Sequence, residues 1–304
     1  MPWTLDDAAD QTGKVVVITG ANSGVGLASA RALAEKGATV VMGCRDSRRG
    51  EAAAEQVRAA APRGKLHVLG LDLASLNRVA AFARDVAERF PRVDVLMNNA
   101  GVMALPYGKT VDGFEQQLGT NHLGHFALTA QLLPLLEAAP EGRVVTVASQ
   151  AHRVGRLDLD DLPLERGYGA WRAYARSKLA NLLFSFELER WLRRNGKRSL
   201  AVAAHPGYSA TGLLKTAPRT SVFGGVVLPI GSVLLAQSSE MGALPQVYAA
   251  VSPEVAGGEY IGPDGLLELS GFPRVVRASG AAYDEAVAAR LWQVSEALTK
   301  VPFS

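Results

Sequence analysis

"KVVVITGANSGVGLASARALAEKG", residues 14–37, joins a run of β-branched apolar residues to an alanine- and leucine-rich run through a turn with glycines at 20, 24 and 26. The first run, "KVVVIT" at 14–19, is short and almost continuously hydrophobic, the pattern of a strand buried on both faces of a parallel sheet. The second reads as a helix, closed by Gly37 after Lys36. A right-handed crossover after such a strand aims the helix's free N–H groups above the carboxyl edge of the sheet, where phosphate is stabilised. Gly20 permits the turn, and Gly24 and Gly26 let backbone approach a ligand and the helix pack on the strand. The spacing is G-x-x-x-G-x-G instead of the common dinucleotide pattern G-x-G-x-x-G, and no Lys-Ser/Thr pair follows, which excludes a nucleoside-triphosphate loop.

The same alternation continues along the chain. Apolar runs at 39–44, 66–71, 93–98, 143–149 and 200–205 alternate with helical patterns around 25–36, 47–60, 75–90, 114–137 and 170–195. This is the α/β class: a single doubly wound domain over 1–304, with a parallel sheet of six to seven strands flanked by helices. The core covers about 13–212. A less regular, substrate-covering segment runs from 206 to about 280, "GEYIG" at 258–262 adds an edge strand, and a last helix lies near 282–299. With 304 residues and 48% apolar content, the chain can bury a large core.

The charge of +3 comes from arginines scattered over many segments, a solvated surface that argues against nucleic acid as a partner. The opening "MPWTLDDAADQTGK" lacks the positive-then-apolar order of an export signal, and the lone Cys44 forms no internal disulfide. Both point to the cytoplasm. Residues 221–239, "SVFGGVVLPIGSVLLAQSS", are uncharged, but three glycines and Pro229 interrupt them. They read as an apolar cover over a pocket or a surface dipping into lipid, not as a spanning helix.

Chemistry is expected where the strands end. A carboxylate about 20 residues beyond the glycines holds a ribose 2′-hydroxyl, whereas a cation there accepts a 2′-phosphate. The second strand ends in Arg45, whose guanidinium suits phosphate, with Asn22 and Ser23 as neutral donors. Asp46, directly before "SRRGEAAAEQV", reads as a helix N-cap. NADP(H) is therefore preferred over NAD(H). Asp72 either meets the adenine amino group or caps a helix at Ser75; Asn99 either faces the ribose or braces the strand end.

"AYARSKLAN" at 173–181 places Tyr174 and Lys178 four apart, on one helix face. A free phenol ionises near pH ~10, and a neighbouring ammonium favours the phenolate, tuning it for proton transfer with a substrate oxygen. Ser149 ends the fifth strand at the same rim, where its hydroxyl can hold that oxygen.

Taken together, "TGANSGVG", "NNAG" at 98–101, Asn121 in "NHLGHF", Ser149, "YARSK" and "HPG" at 205–207 resemble the short-chain dehydrogenase/reductase superfamily in its shorter form, over roughly 13–212. "GCRD", "NHLGHF" and the long tail are most similar to the subgroup of retinol dehydrogenases, WW-domain oxidoreductases and protochlorophyllide reductases. The resemblance implies hydride transfer between a nicotinamide and a carbonyl or alcohol carbon. It makes Tyr174 the general acid of reduction and base of oxidation, and has Lys178 lower its pKa and bind the nicotinamide ribose. Ser149 polarises the substrate oxygen, Asn121 holds a water that links the lysine to solvent, and Thr211 in "PGYSAT" meets the carboxamide. It implies coenzyme contacts from Gly20, Asn22, Ser23, Gly24, Val25, Gly26, Arg45, Asp72, Leu73, Asn99, Gly101, Tyr174 and Lys178. Ser209 stands where many relatives carry a branched apolar residue.

Other residues receive plainer readings. His122 and His125 pack a helix and are not metal ligands, and no metal is expected. His152, three residues after Ser149, reads as a surface-loop histidine, the alternative being entry into the substrate pocket. The helix at 170–195 carries apolar residues around its whole circumference, so a partner subunit or the tail must cover it. The apolar content of 206–245 calls for a bulky apolar carbonyl or alcohol. The reading is an NADP-dependent alcohol dehydrogenase or ketoreductase, with contact to a membrane surface and self-association left open. The alternatives are a carbon–carbon double-bond reductase of the protochlorophyllide kind and a non-catalytic dinucleotide-binding protein.

Overall fold

Strand β1, Val15–Thr19, lies between β2, Thr39–Cys44, and β4, Val95–Asn98, and pairs parallel with both. The computed structural model describes residues 2–162, 164, 167–208 and 237–304, and the backbone of a short hairpin between the last two stretches. Helix α1, Gly24–Glu35, follows β1; α2, Ser47–Ala60, follows β2; β3, Lys65–Gly70, and α3, Leu76–Arg89, precede β4. Then come α4, Gln116–Leu118; α5, Gly124–Glu137; β5, Arg143–Val147; α6, Ala170–Arg194; and β6, Leu200–Ala204. The hairpin pairs β7, Val222–Phe223, with β8, Val226–Val227, and the chain ends in α7, Ser239–Val251, β9, Tyr260–Pro263, β10, Pro273–Val275, and α8, Glu285–Thr299.

The main sheet has the order β10-β9-β6-β5-β4-β1-β2-β3, so the direction of winding reverses between β1 and β4. That switch point opens a crevice at the carboxyl ends of the strands. Strand residues alternate between two cores. Val16 and Ile18 of β1 pack with α1, α2 and α7, whereas Val17 faces the α3, α5, α6 and α8 side. Both faces are covered, which is why the strands read as continuous apolar runs.

Several expectations need correction. The sheet has eight strands, not six or seven. The "GEYIG" strand, β9, is not at the edge: it pairs parallel with β6, while β10 pairs antiparallel with it and takes the edge. The stretch expected to be irregular contains α7, which Ser238 caps by accepting from the Met241 amide and which packs against α1. Sparse charge and an internal Pro245 hid its helical pattern. The helix expected over 114–137 starts at Gln116 and runs on to Glu137, with a π turn at Gly119–Leu123 inserted between α4 and α5.

Helix α6 is covered by the chain's own tail. Trp292 of α8 stacks on Phe184 and Trp191, and Tyr283 stacks on Phe186 with ring centroids 5.0 Å apart. Of the two covers considered for this helix, the tail is the one that the structure supplies. The side chains of residues 209–236, including Ser209, Thr211 and most of the apolar run, lie outside the described residues. Among the described residues no helix is long and apolar enough to cross a membrane.

Candidate active site

The glycine turn after β1 is a fitted space. Gly20 (φ 67°) and Gly24 (φ 55°) are left-handed, and a Cβ on Gly20 would lie 2.9 Å from the Ala100 Cβ. A Cβ on Gly26 would meet Asn99 Nδ2 and lie 2.6 Å from the Gly20 carbonyl oxygen. Ser23 is the N-cap of α1 but makes no side-chain cap, so the first amides of the helix keep their capacity for an outside acceptor. These features fit a dinucleotide phosphate. Asn22 is half-buried and Ser23 exposed beside them. Val25 and Leu73 put their side chains into the two cores, leaving only backbone for a ligand.

At the end of β2, Asp46 accepts from the Arg49 amide at 3.1 Å and faces the Arg49 guanidinium at 3.5 Å. It is the N-cap that the sequence indicated. Arg45 is exposed and forms no ion pair or hydrogen bond with another described residue. Asp72 does not cap α3, because Ser75 does so by accepting from the Arg78 amide; Asp72 accepts from Ala74 N at 3.0 Å in a local turn.

Asn99 is braced. Its Nδ2 donates to the Thr19 carbonyl at 2.8 Å, and its Oδ1 accepts from Gln246 Nε2 at 3.2 Å. The Thr19 hydroxyl also accepts from the amides of Asn99 and Ala100. Neither Thr19 nor Gln246 was singled out in the sequence. Gln246 lies 147 residues from Asn99, and no local pattern marks that contact.

Asn121, Ser149, Tyr174 and Lys178 converge on the rim beside this turn. Asn121 sits in the π turn, where such irregularities re-aim side chains. Its Oδ1 accepts from Val102 N at 2.8 Å and its Nδ2 donates to Ser177 Oγ at 2.9 Å. A Cβ on Gly101 would stand 3.3 Å from Asn121 Oδ1 and 3.5 Å from Lys178 Nζ, so this glycine leaves open the space that both face. Lys178 Nζ donates to the Val147 carbonyl at 3.0 Å and lies 5.8 Å from the centre of the Tyr174 ring. Burial lowers the lysine to about 8. Burial also raises the Tyr174 phenol, and a hydrogen bond with the Ser149 side chain opposes that rise. The expectation that the ammonium sets the phenol's acidity is thus not met here: desolvation of the ring hydroxyl is the larger effect.

Around Tyr174 the walls are apolar. Met103, Ala104, Ala151 and Ala175 cluster with it, and Trp171 meets its ring edge-on at 6.1 Å. Beneath, Arg176 and Glu115 form a buried ion pair at 3.5 Å, and Arg176 also donates to the Asp161 carbonyl at 3.0 Å.

The histidines are structural partners in this frame. His122 is buried, with Nε2 2.9 Å from Ser295 Oγ of α8. His125 Nδ1 donates to the Asn121 carbonyl, so Nε2 accepts from Thr19 at 2.9 Å. His152 is not on the surface. It is fully buried, its Nδ1 donating to the Ser149 carbonyl at 2.7 Å and its Nε2 accepting from Ser279 N at 3.0 Å, and burial lowers it to about 4. The tail that closes over it was not visible in the local sequence.

A sequence model of the family described as short chain dehydrogenase matches residues 14–221. Mouse retinol dehydrogenase 14 is 42% identical over 301 residues, spanning 95% of this chain and 86% of its own. Human retinol dehydrogenase 13 is 42% identical over 290 residues, spanning 94% and 84%. A crystal structure of an uncharacterized protein from Mycobacterium paratuberculosis is 45% identical, covers 100% of both chains and superposes with a TM-score of 0.83.

Proposed function

The chain belongs to the short-chain dehydrogenase family and is an NAD(P)-dependent oxidoreductase of alcohol or carbonyl substrates, and on that premise we propose that it uses NADP(H) to interconvert a bulky apolar ketone or aldehyde with its alcohol. The observation that carries this reading is the convergence of Tyr174, Ser149 and Lys178 beside the glycine turn at the switch point.

Bound in that crevice, the coenzyme supplies the hydride for reduction or takes it up in oxidation. The turn at Gly20, Gly24, Val25 and Gly26, with Asn22 and Ser23, holds its phosphates by backbone and neutral donors. Asp72, Leu73, Asn99 and Gly101 line its adenosine and ribose side. Arg45, without an ion pair or hydrogen bond among the described residues, takes the 2′-phosphate, and the occupied carboxylate of Asp46 is a poor partner for a 2′-hydroxyl. Thr211 is assigned to the carboxamide.

Tyr174 donates its hydroxyl proton to the carbonyl oxygen as the carbon becomes an alcohol, and removes it in the reverse direction. Ser149 holds the same oxygen through its hydroxyl. Lys178, held on the Val147 carbonyl, binds the nicotinamide ribose, and Asn121 orders the path from the lysine to solvent. Met103, Ala104 and Trp171 favour an apolar substrate body. The core of about 13–212 supplies these groups. The chain from about 206 supplies the cover, with α7, β9, β10 and α8 packed back on the core.

A cytoplasmic setting agrees with the lone Cys44, whose thiol burial pushes up to about 11. Self-association has to use a surface other than the covered face of α6.

Titration of the protein's fluorescence with NADPH and with NADH, followed by a panel of ketones and aldehydes read at the nicotinamide absorbance, tests the reading. NADPH is expected to bind more tightly, and an apolar carbonyl to be turned over. Binding of neither nucleotide refutes it.

A further inference from the structure

The loop between β9 and β10 carries two consecutive left-handed residues that are not glycine, Leu267 (φ 52°) and Glu268 (φ 56°). Such backbone is costly and persists where its surroundings over-determine it. Here the surroundings grip one carboxylate. Glu268 Oε2 accepts from Gln150 Nε2 at 2.5 Å and from His205 Nε2 at 3.1 Å, and Arg153 donates to both oxygens at 3.2 and 3.3 Å. The amide of Gly207 donates to His205 Nδ1 at 3.2 Å, which leaves the imidazole proton on Nε2 for Glu268.

Gln150 and Arg153 are not scattered contacts. They are the first and fourth residues of the single 3₁₀ turn Gln150–Val154, and they bond each other, Arg153 Nε to Gln150 Oε1 at 2.6 Å. The N-cap of that turn is Ser149, whose hydroxyl accepts from Ala151 N at 3.2 Å. The direction of the Ser149 hydroxyl therefore follows the orientation of the turn. On the far side, Tyr208 N donates to the Leu269 carbonyl at 2.7 Å, so the same loop also holds the chain that leaves β6. The hydrogen bond from His205, with Gln150 and Arg153, keeps Glu268 ionised down to about 2, and the charge is present at every working pH.

We propose that Glu268 is a positioning residue for the redox reaction: its carboxylate clamps the turn capped by Ser149 against the segment His205–Tyr208 and so keeps the Ser149 hydroxyl aligned with Tyr174. The proposal rests on the reading that Ser149 and Tyr174 share the substrate oxygen. Small misplacements of a group that holds the reacting atoms are costly in rate, which explains why a strained loop is retained to make this contact.

Two glycine variants of the full chain separate the clamp from the strain. Leu267→Gly and Glu268→Gly each relieve one left-handed position, but only the second removes the carboxylate. For Glu268→Gly, kcat is expected to fall ~10- to 100-fold with the NADPH dissociation constant and melting temperature at or near those of the unaltered protein. For Leu267→Gly, kcat is expected to stay within about twofold. Equal kcat values in the two variants overturn the proposal, as does a loss in Glu268→Gly that is wholly in KM. If Glu268→Gly is recovered unfolded, Glu268→Gln decides: a kcat ~3-fold or more below the unaltered protein at unchanged NADPH affinity supports the clamp, and an unchanged kcat overturns it. Absence of turnover in the unaltered chain sinks the functional reading and this proposal with it, whereas turnover indifferent to Glu268 sinks this proposal alone.

Discussion

Lys178 places its ammonium 5.8 Å from the centre of the Tyr174 ring while anchoring it on the Val147 carbonyl at 3.0 Å. The lysine is thus held from below by the end of β5 and faces the ring, and both groups are buried. Burial works on the two in opposite directions, raising the phenol and lowering the amine to about 8. In water the two groups ionise at nearly the same pH, so burial moves their proton affinities apart and keeps the proton on the phenol, where it is available to a carbonyl oxygen.

Replacing Tyr174 with Phe removes the proton donor and leaves the ring. Turnover of any accepted ketone is expected to fall by ~10²- to 10⁴-fold, the usual contribution of a positioned acid. NADPH affinity, measured by fluorescence titration, is expected to change little. Retained turnover would show that another group donates the proton.

The lysine has a signature in stability. With its folded value lowered from 10.5 to about 8, the unfolded chain binds more protons than the folded chain between those values. Its contribution to stability therefore rises with pH across that window and is flat below it. Urea unfolding of the parent and of Lys178→Met, compared below pH 8 and near pH 10, is expected to show that rise in the parent and its loss in the variant.

Gly26→Ala puts a methyl group against Asn99 Nδ2 and the Gly20 carbonyl. The carbonyl is backbone and cannot swing aside, so a cost of ~1–3 kcal/mol in urea unfolding is expected. The accompanying shift of the turn should also weaken NADPH binding. An alanine variant with native stability and affinity would contradict the tight fit.

Arg45→Ala tests the choice of coenzyme. A charge-assisted contact of ~1.5–3 kcal/mol corresponds to a ~10- to 100-fold loss in NADPH affinity. NADH affinity is expected to remain unchanged. Equal losses for both nucleotides would place Arg45 elsewhere in the site.

Trp292 stacks on both Phe184 and Trp191 and meets Phe303 at 4.4 Å. Trp292→Ala is expected to destabilise the protein by ~3–5 kcal/mol. By uncovering α6 it should also promote self-association, readable by light scattering. A variant with the stability and light-scattering mass of the unaltered protein would show that the tail is dispensable.

The chain's own letters determined the alternating architecture because its strands are covered on both faces, and such strands must be apolar throughout. "KVVVIT", the glycines at 20, 24 and 26, and Tyr174 with Lys178 were legible for the same kind of reason: local geometry requires those residue types at that spacing. Asp46 was legible as a cap because capping is decided within three residues. Tertiary structure alone decided the rest. The tethering of Asn99 by Gln246, the burial of His152 under Ser279, the cover of α6 by α8 and the grip of Glu268 on the Ser149 turn join residues far apart in the chain. Even the balance between Tyr174 and Lys178 belongs to the fold, because desolvation depends on everything packed around a group, and four residues of helix do not contain that information.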